Sequence, residues 1–191
     1  MYVTLSFKFR QRDEVERFIL FLEKHLRGNY IVTTRLTHVY VQIEGENLKE
    51  AVALVKKLAA LAKGGYGKRQ IPLLILFKDV NLVRPIPPDL IADVLTLRGI
   101  ESKVKGGYLE TAVEYEEVLK IAEELSNLYQ DAERYPLTPH AKKIVVAYAY
   151  SRGLSLDAAV ERLVEAGVLN RGKVISLRED YSRAKLRLLK I

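Results

Sequence analysis

One order of elements is written twice into residues 1–135, and that recurrence restricts the chain to folds able to hold two small helix-backed sheets. Val3, Leu5, Phe7 and Phe9 alternate with Tyr2, Thr4, Ser6 and Lys8, the period-two pattern of a strand with one buried face. Asp13 and Glu16 form a capping pair for a helix with the stripe Val15, Phe18, Ile19, Leu22 and Leu26, and Gly28 stops it. Tyr30 to Glu44 is rich in β-branched residues and folds back near Arg35 to Thr37 into two strands. Asn47 and Glu50 open a second helix with Leu48, Val52, Val55, Leu58 and Ala62 on one face, and Gln70 to Lys78 reads as a further strand. Strand, helix, strand, strand, helix, strand is a ferredoxin-like order.

The second copy begins to show at Leu97-Arg98-Gly99, which echoes Leu26-Arg27-Gly28 at the end of a helix. Tyr108 to Glu114 stands about seventy residues beyond His38 to Glu44 and again leads from a strand into a helix. The helix Pro88 to Leu97 matches the first helix of the first copy, and Glu116 to Ala132 matches its second. Beyond them Thr138-Pro139 starts a helix, Gly153 breaks it, Ser155 caps the next and Gly167 stops that one. A Ser176/Glu179 capping box then opens a last helix with Leu177, Tyr181, Ala184, Leu188 and Ile191 on one stripe. The expected fold is α+β: two tandem ferredoxin-like (βαββα) repeats, about 1–70 and 71–135, followed by a small basic three-helix domain over 136–191.

Lys-Gly-Gly-Tyr occurs at 63–66 and at 105–108, with different work to do. The first copy lies between a helix and a strand, so Gly64 and Gly65 serve as a helix stop; the second lies at a hairpin tip, where Gly106 and Gly107 supply positive φ. A phosphate loop runs from strand to helix and places Ser or Thr after its lysine, and the segment around Lys63 does neither. Lys63, Tyr66, Lys68 and Arg69 remain as an exposed basic loop.

The formal charge of +7 is uneven: residues 1–140 hold 20 Lys/Arg against 19 Asp/Glu, and residues 141–191 hold 11 against 5. Arg171, Lys173, Arg178, Arg183, Lys185, Arg187 and Lys190 crowd the last helix and its approach. A basic amphipathic helix suits nucleic-acid phosphates, an anionic membrane or plain water, with the membrane last because the apolar stripe is needed inside the domain. Sheet faces opposite the helices would present Tyr2, Thr4, Ser6, Lys8, Thr33, Arg35, His38, Tyr40 and Gln42 in the first repeat, and Lys103, Lys105, Tyr108 and Glu110 in the second. Rings that stack on bases beside cations that neutralise phosphates form an RNA platform, although neither THVYVQIE nor KGGYLETAV meets the aromatic-rich RNA-recognition signature. The alternative is that these faces are buried against one another or against another chain. The candidate contacts are the seven tail cations with Lys68, Arg69, Arg35, Tyr40, Lys105 and Tyr108.

Catalytic chemistry finds little support. Cysteine is absent, which excludes disulfides, thiolate catalysis and cysteine metal sites. His25, His38 and His140 lack metal-ligand spacing, and Glu114, Glu116, Glu117, Glu123 and Glu124 follow the solvated side of a helix. Neither an enzyme nor a cofactor is expected. The apolar run Ile71 to Phe77 is too short to span a bilayer and the start lacks a signal peptide's apolar stretch, so no membrane contact and a cytoplasmic location are expected. A single methionine, no tryptophan and abundant Glu, Lys and Arg lean toward a thermophile.

Through LRGNYIVTTRLTHVYVQIEG, VRPIPPDLIADVLTLRGIESKV and the basic tail, the chain resembles a family of conserved archaeal proteins, mostly crenarchaeal, catalogued as a domain of unknown function. The resemblance implies an archaeal cytoplasmic setting and carries no catalytic residues. From the residues themselves, the expected function is non-enzymatic nucleic-acid binding, RNA ahead of DNA, with phosphates held on the C-terminal helices. The sheet face is left for stacking, for a homodimer or for a protein partner. The alternative is a regulatory module holding a small ligand at the junction of the repeats, as ACT domains do.

Overall fold

Period-two alternation becomes an antiparallel sheet in the computed structural model, which describes residues 1–64 and 67–191. Strand β1 (Tyr2–Lys8) and strand β2 (Asn29–Arg35) flank β3 (His38–Glu44), giving the order β1-β3-β2. Helices α1 (Arg12–His25) and α2 (Leu48–Ala62) pack on each other, and α2 also packs on β1 and β3. Phe18, Leu22, Val39, Val41, Ile43, Val55 and Leu58 meet in this core, each at most 2% exposed. Each such burial contributes about 1.5–3 kcal/mol. Phe7 meets Phe18 edge-on with ring centroids 5.2 Å apart. Helix α1 begins one residue before Asp13, behind Gln11, which makes no side-chain cap.

The chain divides into two compact units, Met1–Gly67 and Lys68–Ile191. The second opens with β4 (Arg69–Pro72), a short helix α3 (Leu73–Asp79) and helix α4 (Pro88–Leu97). Strands β5 (Lys103–Lys105) and β6 (Tyr108–Thr111) follow, then helix α5 (Tyr115–Asp131). The sheet order is β4-β6-β5, the same first-third-second arrangement as in the first unit. The strand expected over 70–78 is corrected in length: it ends at Pro72, and it pairs with β6. Strand β6 opposes only Arg69 to Pro72, so the apolar residues beyond must satisfy their backbone groups internally, and they do so as α3, burying Ile75 and Leu76.

The expected boundary near residue 135 lies inside the second unit. Helix α6 (Pro139–Arg152) packs against both α4 and α5 and is buried nearly all round, with Ile144, Val145, Val146 and Tyr148 enclosed. Thr138 caps it by accepting from the Ala141 N–H at 3.4 Å, and Gly153 closes it at φ 64°. Ser155 likewise caps α7 (Leu156–Glu165), accepting from Ala158 at 3.1 Å. A small antiparallel pair, β7 (Leu169–Asn170) and β8 (Ser176–Leu177), precedes α8 (Tyr181–Leu188). Ser176 is therefore a strand residue paired with Asn170, and the cap of α8 is Asp180, which accepts from the Arg183 N–H at 2.9 Å.

The helix stop expected of Gly65 and the loop contact expected of Tyr66 lie outside the described residues. Among the described residues no helix is long and apolar enough to cross a membrane. The architecture is α+β, with helices on small antiparallel sheets.

Candidate nucleic-acid interface

Strand register decides which side chains share the first sheet's outer face. The pairings Tyr2↔Glu44↔Asn29, Thr4↔Gln42↔Ile31, Ser6↔Tyr40↔Thr33 and Lys8↔His38↔Arg35 form successive rungs there, opposite the buried Val39, Val41 and Ile43. Neighbouring strands lie about 4.8 Å apart and same-face residues about 6.8 Å apart along a strand. The Lys8–His38–Arg35 rung is therefore about 10 Å wide, with Tyr40 one rung above its centre. Tyr2, Ile31 and Tyr40 are 70%, 62% and 38% exposed, which is unusual for large side chains on one face. Neither Lys8 nor Arg35 reaches an acid among the described residues, and the carboxylate on these rungs, Glu44, is about 20 Å along the strand from His38. Arg35 is held at the rim by the two-residue turn through Leu36 and Thr37, with Leu36 at φ 56°. Residues 1–67 carry 11 Lys/Arg against 7 Asp/Glu, so cationic excess is not confined to the tail.

The second sheet repeats part of this layout. Its outer rungs are Gln70↔Glu110↔Lys103 and Pro72↔Tyr108↔Lys105. Glu110 accepts from Gln70 Nε2 at 3.4 Å and faces Lys103 Nζ at 3.4 Å, so that rung is neutralised from within. Lys105 is exposed and meets no acid among the described residues, and Tyr108 beside it is half-buried. Gly106 and Gly107 form the hairpin tip with φ 58° and 79°, as the glycine pair implies. Lys68 pairs with Glu101 at 3.1 Å, and Arg69, 14% exposed, faces Glu114 at 3.7 Å. Lys68 and Arg69 are thus engaged with the second unit's own acids.

The tail departs most from its expected role. Arg171 pairs with Glu161 at 2.5 Å, Arg183 with Asp180 at 3.5 Å, Lys185 with Asp93 at 3.1 Å and Arg187 with Glu179 at 3.1 Å. Arg187 Nη1 also donates to the carbonyls of Ala166 at 3.4 Å and Gly167 at 3.2 Å, just past the C-terminus of α7. Carbonyls there lack helical partners and carry partial negative charge, so a guanidinium satisfies both needs. Arg152 does the same for α8, donating to Leu188 O at 3.2 Å and Ile191 O at 2.9 Å. Arg98 donates to Tyr150 O at 3.5 Å near the end of α6 and lies 4.5 Å from the Tyr150 ring. Burial, and then a hydrogen bond to Glu124, push the Tyr150 phenol up to about 12. Lys173, Arg178 and Lys190 alone of the seven tail candidates meet no acid among the described residues.

The structure therefore brings Arg35 and Tyr40 together with Lys8 and His38 on one open face, and Lys105 with Tyr108 on another. Of the tail set, Arg171, Arg183, Lys185 and Arg187 each face an acid of the second unit. Sequence reading could have flagged Asp180 and Glu179, which interrupt the basic run. It had no signal for Asp93, 92 residues from Lys185.

A family model described as "Uncharacterized protein conserved in archaea (DUF2067)" matches residues 7–186. Among curated proteins, small ribosomal subunit protein uS15 of Hyperthermus butylicus is 28% identical over 127 residues, covering 66% of this chain. The matched stretch spans 64% of that relative's length. No solved structure matches the chain.

Proposed function

The chain belongs to this archaeal family, and from that premise we propose that it binds single-stranded RNA without catalysis, on the outer face of its first sheet. The observation that carries the reading is the Lys8–His38–Arg35 rung one step from Tyr40, with both cations clear of acids among the described residues. Such a rung neutralises backbone phosphates while the tyrosine ring receives a base, an arrangement tolerant of sequence because every base has a π-face. Lys105 and Tyr108 offer a weaker second foothold. RNA ranks ahead of DNA because the curated relative is a small ribosomal subunit protein. The tail's part is led by Lys173, Arg178 and Lys190, since the other four cations each share their charge with an acid.

The shared order first-third-second in both sheets also supports reading the units as tandem ferredoxin-like repeats, each without its fourth strand. A cytoplasmic setting fits an RNA partner.

Fluorescence anisotropy with a labelled single-stranded RNA tests the reading. Tyr40→Ala should weaken binding about 5- to 150-fold, the equivalent of about 1–3 kcal/mol per stacked base. Lys8→Ala with Arg35→Ala should lower the slope of log affinity against log salt by about 1.4, two phosphate contacts at about 0.7 each. The Lys173/Arg178/Lys190 triple alanine should do less. Affinity insensitive to all three sheet residues would end the proposal.

A further inference from the structure

A half-open cleft of about 400 Å³ lies between α4, α6 and α8 in the second unit. One side is polar. Asp93 accepts from the Tyr181 hydroxyl at 2.6 Å and from Lys185 Nζ at 3.1 Å, one on each carboxylate oxygen. Lys143, held by Asp89 at 2.6 Å, and Lys185 stand 4.4 and 5.0 Å from the centre of the Tyr181 ring. Burial, then the bond to Asp93, hold the Tyr181 phenol well above its ordinary pKa, so it remains a neutral donor. The other side is aliphatic: Leu97, Ile144, Leu186 and Leu189 line it, and Leu186 and Leu189 leave more than half their area in water.

These contacts anchor α8, but anchoring explains neither the cavity nor the two wet leucines at its rim. The donors left over identify the missing chemistry. Asp93 already has both oxygens engaged, whereas Lys185 has spent one of its three N–H donors on Asp93, and the exposed Ser182 hydroxyl beside it is unused among the described residues. Spare donors at the polar wall can receive a second acceptor, and the leucine wall suits a hydrocarbon. We propose that this cavity binds an amphipathic carboxylate, its head on Lys185 and Ser182 and its aliphatic chain along Leu97, Ile144 and Leu189. A volume near 400 Å³ falls within the range of small-ligand pockets. The site shares no residue with the RNA face and stands independently of it.

Isothermal titration calorimetry of the full chain with hexanoate, octanoate and decanoate tests the proposal without any substitution. The expected result is saturable binding whose affinity rises about fourfold per added methylene. Decylamine, with the opposite head charge, should bind at least about tenfold more weakly than decanoate. Lys185→Met, which keeps the stem and removes the ammonium, should cost decanoate about tenfold. Because Lys185 also holds Asp93, the variant's folding is checked by circular dichroism, and Ser182→Ala at an exposed position supplies a second, smaller loss. Absence of decanoate binding, affinity independent of chain length, or equal affinity for the amine would each overturn it.

Discussion

Replacing Arg187 by alanine separates two uses of charge that look alike in the sequence. In the structure its guanidinium donates to two carbonyls just past α7, at 3.4 and 3.2 Å, and faces Glu179 at 3.1 Å, while 45% of the side chain remains exposed. The hydrogen bonds are long and the ion pair is half-solvated, so low-end values apply: about 0.3–1 kcal/mol for a cation at a helix C-terminus and about 0.2–1 kcal/mol for the pair. Arg187→Ala should therefore destabilise the second unit by about 0.5–2 kcal/mol, lowering its thermal midpoint by roughly 2–8 °C. Arg187→Lys should recover part of the loss, because it keeps the charge but not the two-pronged donor geometry. Guanidinium-chloride unfolding followed by circular dichroism reads the stability, and RNA anisotropy on the same samples should change by less than about twofold, since a paired guanidinium releases few counterions on binding. Unaltered stability together with a tenfold loss of RNA affinity would refute the reasoning and return the tail to the role its charge suggests.

Two further outcomes follow from local geometry. Tyr115, Tyr150 and Tyr181 all have phenol pKa values raised, first by burial and then by hydrogen bonds to Asp79, Glu124 and Asp93. A folded-state pKa above the unfolded value of about 10 means stability is fully present below pH 10 and falls as pH rises beyond it, because the unfolded chain then loses protons first. Ultraviolet titration of the native protein should accordingly leave a fraction of the 11 tyrosines un-ionised at pH 11 until denaturant is added; complete ionisation without unfolding would contradict the burial described. At the second hairpin, Gly107 has φ 79° and open space where a Cβ would lie, so Gly107→Leu should cost about 1–2 kcal/mol through backbone strain alone. Equal denaturation midpoints for the two proteins would rule that strain out.

The hairpin turns, the caps of α6 and α7 and the helix stop at Gly153 were legible because each depends on a few neighbouring residues, whereas the caps read at Asp13 and Ser176 fall elsewhere. Gly106-Gly107, Thr138-Pro139, Gly153 and Ser155 do in the structure what their local chemistry requires. The outer face of the first sheet was legible for the same reason: alternation along one strand assigns Tyr40 and Arg35 to a side before any partner is known. The segment around Ile71 to Phe77 was not. A short apolar run fits a buried strand or a buried helix equally, and the choice was made by β6, which supplies partners only as far as Pro72.

Sequence alone determined the strands and helices of residues 1–62 and the side from which Lys8, Arg35 and Tyr40 face outward, since these follow from periodicities of two and 3.6 within one segment. Tertiary structure decided which cations remain available. A charge counted along the chain says nothing of the acid that folding brings to it, and Asp93 meets Lys185, and Glu161 meets Arg171, only once α8 and the β7–β8 turn have docked. Coulomb attraction acts through space over a few ångströms, so the net charge of a segment and the charge it can offer a partner are separate quantities until the fold is known.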